Sequence, residues 1–451
     1  MPVVPYASPT MNVLLLNGAT GPDPFLDEVA ARVRHDFETR GASVETVLLR
    51  IEQVSWCQGC FECWTHTPGV CKINDVGRDL AREFVLADVV VLLTPSQFGG
   101  YSHECKKMLD RTIGMLLPFF RRVDGETHHP PRYPRRPAFG VLAVLDHEDF
   151  DANCTLRVLV ERNAMNFASP RHHLEIVQRD HTAGVVLAAC DRLVDTLLTP
   201  PVHGEPIRHP DDLLPAMARC DADAPPREAL LLVGSSKPRG TSTSEALGTA
   251  LLERLATRGI RGRVMHVHRD AHDARGLNTL TASLRGVDLL LLATPVYIDA
   301  LPWLLMRALG AFAQDRAAMS HPSPLTVAMI ANCGFPESRH AAVSRTMGAL
   351  FARDARARWA GALQLGAGAL IDGAPIAKAG HLVQSLPPLL DRAADALARG
   401  ERLDDETIQG FQEPLIPALA YAAAGDATWL WTAAHEGALR RMWARPFEKA
   451  W

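Results

Sequence analysis

Apolar runs of five to seven residues alternate along this chain with longer stretches in which apolar positions recur every three or four residues. Met11 to Leu16 is such a run, followed by a polar loop from Asn17 to Pro24 and a helical pattern from Phe25 to Arg40. Val44 to Leu49, Asp88 to Leu93, Phe139 to Leu145 and Leu174 to Val177 read as further strands. Helices are predicted over Val76 to Leu86, from Ser102 to about Leu117, over Thr155 to Asn166 and over Ala183 to Leu198. Near-continuous apolar strands between amphipathic helices predict a parallel sheet covered on both faces.

At Ala229 the pattern begins again. Strands are predicted at Leu230 to Val233, Val264 to Val267, Leu289 to Ala293, Leu325 to Ala331 and Leu363 to Leu370, and helices at Glu245 to Arg258, Trp303 to Ala313, up to Arg356, and Leu382 to Arg399. Ala87-Asp88-Val89-Val90-Val91-Leu92-Leu93-Thr94-Pro95 matches Val287-Asp288-Leu289-Leu290-Leu291-Leu292-Ala293-Thr294-Pro295 position by position, which marks an internal repeat. The expected organisation is a domain over 1–199, a Pro- and Asp-rich linker over 200–227, a second domain over 228–400 and a helical tail over 401–451. The tail's Trp429, Trp431, Trp443 and Trp451 are expected to be packing groups.

The 451 residues, 47% of them hydrophobic, are ample for two full cores. A formal net charge of -4 from interspersed charges argues against nucleic acid and against an anionic membrane surface. Small molecules are the expected partners. No basic start followed by an apolar run stands at the N-terminus, and no stretch is long enough to span a membrane, so a cytoplasmic protein is expected.

Four of the nine cysteines change the picture: Cys57, Cys60, Cys63 and Cys71 occupy one loop in a C-x2-C-x2-C-x7-C spacing. In a reducing compartment such clustering points to metal or redox chemistry before disulfides. Thiols two residues apart can curl around an iron-sulfur cluster. Structural zinc more often uses two well-separated C-x2-C pairs, and small buried thiols need no ligand at all. All three readings stay open.

In an open parallel sheet, ligands sit beyond the carboxyl ends of the strands. The loop after the second copy's first strand, Gly234-Ser235-Ser236-Lys237-Pro238-Arg239-Gly240-Thr241-Ser242-Thr243, joins hydroxyls, two cations and a helix N-terminus, a setting for a phosphate. The first copy's equivalent, Asn17 to Pro24, has no cation and carries Asp23, which speaks against phosphate there. Conversely, the second copy has no cysteines in the matching loop; its His266, His268 and His272 are read as solvated.

The phosphate loop, together with Thr294-Pro295-Val296-Tyr297, resembles the flavodoxin-like NADPH-dependent FMN reductase superfamily. The four cysteines, Asp75 and Thr94-Pro95-Ser96-Gln97-Phe98-Gly99-Gly100 resemble its iron-sulfur flavoprotein branch. The resemblance implies two tandem flavodoxin-like α/β domains, each a doubly wound five-stranded parallel sheet of order 2-1-3-4-5, followed by the helical tail. It implies bound FMN, NAD(P)H as electron donor, a small acceptor such as a quinone or flavin, and often a dimer. Carried over, Ser235, Lys237, Arg239, Thr241 and Ser242 would hold the FMN phosphate. Thr294, Pro295, Val296 and Tyr297 would line one side of the isoalloxazine, and Asn332, Cys333 and Gly334 the other. Cys57, Cys60, Cys63 and Cys71 would hold a 4Fe-4S cluster.

The complementary losses in the two copies suggest an internal pseudo-dimer, with FMN in the second copy and the cysteine site in the first. No side chain need act as a general base. Glu126 to Tyr133 resembles a loop of that branch and is read as a solvated connection, with a lid or a dinucleotide-binding role as the alternative. The rival reading of the whole chain is a non-enzymatic protein with a degenerate pocket and a structural or sensing cysteine loop.

Overall fold

The computed structural model describes residues 10–199 and 213–448. Residues 1–9, residues 200–212 of the expected linker and residues 449–451, with Trp451, lie outside the described residues.

The first sheet comprises β1 (Asn12–Asn17), β2 (Ser43–Leu48), β3 (Val89–Pro95), β6 (Ala138–Leu145) and β7 (His172–Gln178), and β4 (Arg121–Val123) and β5 (Glu126–His128) form a separate antiparallel hairpin. The second sheet comprises β8 (Glu228–Val233), β9 (Arg261–His266), β10 (Leu289–Pro295), β11 (Thr326–Asn332) and β12 (Arg358–Leu365). The strand orders are β2-β1-β3-β6-β7 and β9-β8-β10-β11-β12. Every pairing within the two sheets is parallel. Both are therefore 2-1-3-4-5 sheets, as expected. The central strands explain the continuous apolar runs: Val89 to Leu93 and Leu289 to Ala293 are buried throughout, with helices on both faces.

Three differences from the expected elements have physical causes. The fifth strand of the second sheet starts at Arg358 rather than Leu363, because Trp359-Ala360-Gly361-Ala362 pairs along β11 through a register shift at Val327/Ala328. Small residues there hide the strand pattern. The helix after β3 spans only His103–Leu109 and gives way to a 3-10 turn over Thr112–Met115. Helix Ala274–Leu284 was not foreseen.

The two domains pack through matching helices. One hydrophobic core runs from Leu14 and Leu92 through Leu109, Leu159 and Phe351 to Leu309 and Leu292. Lys106 Nζ donates to the Tyr297 carbonyl at 2.6 Å, and Gln97 Nε2 donates to the Met306 carbonyl at 2.7 Å. Lys106 and Met306, like Gln97 and Tyr297, occupy corresponding positions of the repeat, so the two residue pairs are related by a pseudo-two-fold axis, with the donor side chain coming from the first domain in both. This is the pattern of an isologous dimer interface, realised within one chain.

The same tight turn follows β3 and β10. Gln97 and Gly100 pair across Phe98 (φ 54°) and Gly99 (φ 68°), and Tyr297 and Ala300 pair across Ile298 (φ 48°) and Asp299 (φ 59°). A β-branched residue at positive φ is unusual; the neighbouring domain holds this turn through Asn163 Nδ2 to the Ile298 carbonyl and Arg162 to Asp299.

Beyond the second sheet the tail forms helices Asp405–Gln412 and Ala418–His435. The longer one bridges the two domains: Asp426 accepts from the Phe120 amide of the first at 3.0 Å, and the Tyr421 hydroxyl donates to the Gly334 carbonyl of the second at 2.6 Å. Among the described residues no helix is long and apolar enough to cross a membrane.

Candidate redox cavity between the domains

A cavity of about 570 Å³ opens at the strand ends of the second sheet. Its walls include Ser235, Lys237, Ser242, Pro295, Val296, Tyr297, Asn332, Cys333 and Gly334 from the second domain and Cys57, Cys60, Cys63 and Cys71 from the first. Three of the expected residues stand elsewhere. Arg239 and Thr241 are exposed outside the cavity lining, and Thr294 is buried behind it, its hydroxyl bonded to the Pro295 carbonyl at 2.9 Å.

The phosphate loop is built around the start of helix Thr243–Thr257. Ser242 caps it, its Oγ accepting from the Glu245 amide at 3.2 Å, while Glu245 accepts from the Gly240 amide at 2.6 Å. The first bond satisfies one end-of-helix donor, and the second ties the preceding loop to the helix. Ser235 Oγ accepts from the Lys237 amide at 3.2 Å. Among the described residues neither Lys237 nor Arg239 makes an ion pair. A helix N-terminus with uncommitted cations suits a phosphate, so these residues fit FMN.

The loops after β10 and β11 are tied together. The Val296 amide donates to the Asn332 carbonyl at 2.9 Å, and Ser244 Oγ donates to Asn332 Oδ1 at 2.6 Å. The Cys333 thiol donates to the Glu337 carbonyl at 3.3 Å, and burial pushes it up to about 12. Cys333 is thus a neutral wall residue rather than a nucleophile.

The cysteine loop leans directly on this site. A β-carbon on Gly59 would stand 2.4 Å from the Tyr297 hydroxyl. Cys63 is buried, Cys57 and Cys71 are half-buried and Cys60 is exposed. Burial, with the neighbouring Asp110 and thiols adding to it, pushes Cys57 up to about 12, and burial likewise drives Cys63 well up. Arg111, bonded in bidentate fashion to Asp75, stands over the same loop.

Among the described residues no three of the four sulfurs come within 4.8 Å of one another. A single tetrahedral zinc ion, with bonds of about 2.3 Å, would hold its sulfurs about 3.8 Å apart. The four thiols line one wall of the cavity, and four thiolates are the ligand set of an iron-sulfur cluster.

Two expectations are corrected. The Glu126 to Tyr133 segment is not a solvated connection: Glu126, Thr127, His128, Arg132 and Tyr133 are all at most 4% exposed. The second domain and the tail cover the hairpin, and Arg162 reaches Glu126 at 3.0 Å. His266 is not solvated either; it is buried with Nε2 3.0 Å from Glu245.

The sequence reading also missed the aromatic wall. Trp429 from the tail meets Trp64 edge-on, with ring centres 5.1 Å apart, and Trp64 stacks on Phe61 at 4.9 Å. His129 stands 4.6 Å from Trp64 and 5.0 Å from Phe335, joining the two halves of the cavity. Burial holds His129 down at about 4, which leaves it a neutral ring. The aromatic spacing W-x-W at 429 and 431 was visible in sequence, but only the fold brings Trp429 onto the cysteine loop.

Comparison with known proteins now bears on this geometry. Residues 11–123 match the model of the NADPH-dependent FMN reductase family. An iron-sulfur flavoprotein of Methanocaldococcus jannaschii is 25% identical over 109 residues, which cover 24% of this chain and 55% of that protein. The chain thus spans about half the length of the curated relative it matches. Among solved structures, an NAD(P)H:quinone oxidoreductase from Methanothermobacter marburgensis overlaps 43% of this chain and 100% of its own, at 14% identity and a TM-score of 0.35. An azoreductase from Bacillus anthracis overlaps 41% and 98%, at 13% identity and a TM-score of 0.32.

Proposed function

We propose, from the match of residues 11–123 to the NADPH-dependent FMN reductase family model, that this chain is an FMN-dependent NAD(P)H oxidoreductase that reduces a small acceptor. FMN would sit in the second domain, and the first domain would place an iron-sulfur cluster opposite it. The observation that carries this reading is the single cavity whose walls hold both the phosphate loop and all four clustered cysteines.

FMN accepts electrons in pairs as hydride and releases them singly, and a cluster takes them singly. The chain's own residues supply the rest. Ser235, Lys237 and Ser242 would hold the phosphate at the helix N-terminus, with Arg239 and Thr241 able to reach in from the exposed part of that loop. Pro295 to Tyr297 and Asn332 to Gly334 would confine the ring, with Thr294 bracing the first loop from behind. Phe61, Trp64, Phe335 and Trp429 would exclude water from the space between flavin and cysteines. NAD(P)H and the acceptor are small-molecule partners on this reading, and the pseudo-dimer lets one chain provide what two would otherwise assemble.

The test is the visible spectrum of anaerobically purified protein, with iron, zinc and acid-labile sulfide assayed on the same sample. Flavin bands with one FMN per chain and matching iron and sulfide are expected, together with steady-state NAD(P)H oxidation. Flavin and turnover without iron would remove the cluster from the reading. Absence of both flavin binding and turnover would leave the non-enzymatic alternative.

A further inference from the structure

The buried hairpin β4–β5 brings Glu126 and His128 against His340 of the second domain. One ligand atom from each lies within 4.8 Å of the others, and all three residues are buried. The His128 and His340 rings stand edge to face with centres 5.2 Å apart. Nε2 of each ring is buried without a hydrogen-bond partner.

The tautomer of His128 follows from its neighbours. Asn166 Nδ2 donates to Asp299, which can only accept, so Asn166 Oδ1 faces His128 Nδ1 at 3.1 Å. Nδ1 therefore carries the proton, and the His128 Nε2 lone pair points into the buried space, 3.4 Å from Glu126 Oε2. A buried lone pair beside a carboxylate oxygen calls for a cation or a proton.

We propose that Glu126, His128 and His340 form a binding site for a divalent transition metal ion of the zinc class, buried between the two domains behind the part of the cavity wall that His340 lines. Two imidazole nitrogens and one carboxylate are a ligand set for such ions. One outer contact is in place, since Asn166 already orients His128, and Asp299 Oδ1 stands near His340 Nδ1 at 3.7 Å. Glu126 and Asp299 both meet the buried guanidinium of Arg162, and Arg122 reaches Glu337 from a more exposed position.

Arg162 defines the cost of loading. It donates to His340 Nδ1 at 2.8 Å, which places the His340 proton on Nε2. Binding through Nε2 needs that proton on Nδ1, so the His340 ring must turn from Arg162 to bring Nδ1, now 3.7 Å from Asp299 Oδ1, within hydrogen-bond reach, while Arg162 keeps Glu126 and Asp299. Glu337 Oε2, 3.6 Å from His340 Nε2, stands next to the open coordination position.

The experiment is titration of the full-length protein, as purified, with Co²⁺, read by bound-metal stoichiometry and cobalt K-edge X-ray absorption. That edge is separate from iron in the cysteine loop. One equivalent is expected with only nitrogen and oxygen scatterers at about 2.0–2.1 Å, as opposed to sulfur at about 2.3 Å. His128→Ala and Glu126→Gln should lose that equivalent, Asn166→Leu should weaken it about 10–100-fold, and Cys63→Ser should keep it. The absorption spectrum of unmutated protein decides the case even if a variant fails to fold. Cobalt bound only through sulfur, no cobalt bound, or undiminished binding in folded His128→Ala overturns the proposal.

Discussion

The loops that follow β1 and β8 hold the same place in the same fold, yet they end in opposite chemistry. After β8, Ser242 caps the helix with a neutral hydroxyl, and Lys237 and Arg239 are uncommitted. After β1, Asp23 caps the helix with a carboxylate, and both Asp23 oxygens accept from Arg179, which also meets Asp146. The Arg179 hydrogen bonds hold Asp23 below the usual carboxylate range despite partial burial. An internal anion already occupies the helix terminus of the first domain. The second loop in each copy shows the reverse: the first domain carries four cysteines where the second has His266 paired with Glu245. On the proposed reading each copy has closed the site that the other kept, and the phosphate loop and the cysteine loop line one cavity.

The largest expected effect concerns the cysteines. In protein stripped of metal, Cys57 at about 12 is far above an ordinary thiol at about 8.5. Its thiolate fraction at pH 8, and hence its alkylation rate, should be about 10³-fold below that of an unperturbed thiol. The sign follows from the raised value: the protonated thiol contributes to stability in full below about pH 8.5, and that contribution is lost as pH rises towards about 12. Metal-free protein should therefore lose stability over that alkaline window. Alkylation mass spectrometry across pH checks the first claim, and rapid labelling at pH 8 would show that the loop is open rather than buried.

The next effect lies in the interface. Lys106 and Asp110 form a buried ion pair at 2.7 Å where the second copy has Met306 and Gly310. Lys106→Met should destabilise the chain by about 3 kcal/mol, because it leaves Asp110 buried beside only the Trp303 amide. Burial already pushes Asp110 upward, so its protonation limits the loss. The double change Lys106→Met with Asp110→Gly, which copies the second domain, should recover part of it. Denaturant unfolding of the single and double variants measures both, and equal losses would mean that the pair has no coupling to break.

Ser242→Asp transplants the first domain's cap into the second. A carboxylate facing the phosphate should weaken FMN retention by about 100-fold, equal to about 2.7 kcal/mol. Asp23→Ser in the first domain should leave one flavin per chain, since Arg179 and Asp146 still close that terminus. Flavin fluorescence on dialysis reads both. Two flavins per chain in the second variant would show that Asp23 alone keeps the first domain empty.

Both sheets, the repeat and the phosphate loop were legible because they rest on local signals: continuous apolar strands, turn residues and a capping serine. The cysteine loop was legible as a cluster for the same reason. What joins them was not. Arg162 finds Glu126 and Asp299, and Arg132 donates to the carbonyls of Met442 and Ala444, across sequence separations that no periodicity reports. The hairpin strands β4 and β5 are three residues each, too short for an alternation pattern, so their burial depends wholly on partners from elsewhere. Gly99 and Asp299 illustrate the limit. They align in the repeat and share a positive φ, but only the packed domains show that Asp299 is there to meet Arg162.

The smallest expected effect tests how closely the two halves of the cavity depend on each other. Gly59 sits at φ 64°, and any β-carbon there would press on the Tyr297 hydroxyl. Gly59→Ala therefore strains its own backbone by about 1 kcal/mol and must move either the cysteine loop or Tyr297. If the cysteine loop yields, FMN affinity stays within about twofold and the cluster becomes more labile to chelator. If Tyr297 yields, its coupling through the Lys106 bond to its carbonyl carries the shift to the flavin wall, and FMN affinity falls about tenfold, or about 1.4 kcal/mol. The firmer partner is Tyr297, pinned by a two-bond turn and by a buried lysine, so loss at the cysteine loop is the expected outcome. Parallel measurement of flavin affinity and iron release in this one variant shows which side of the pseudo-dimer sets the position of the other.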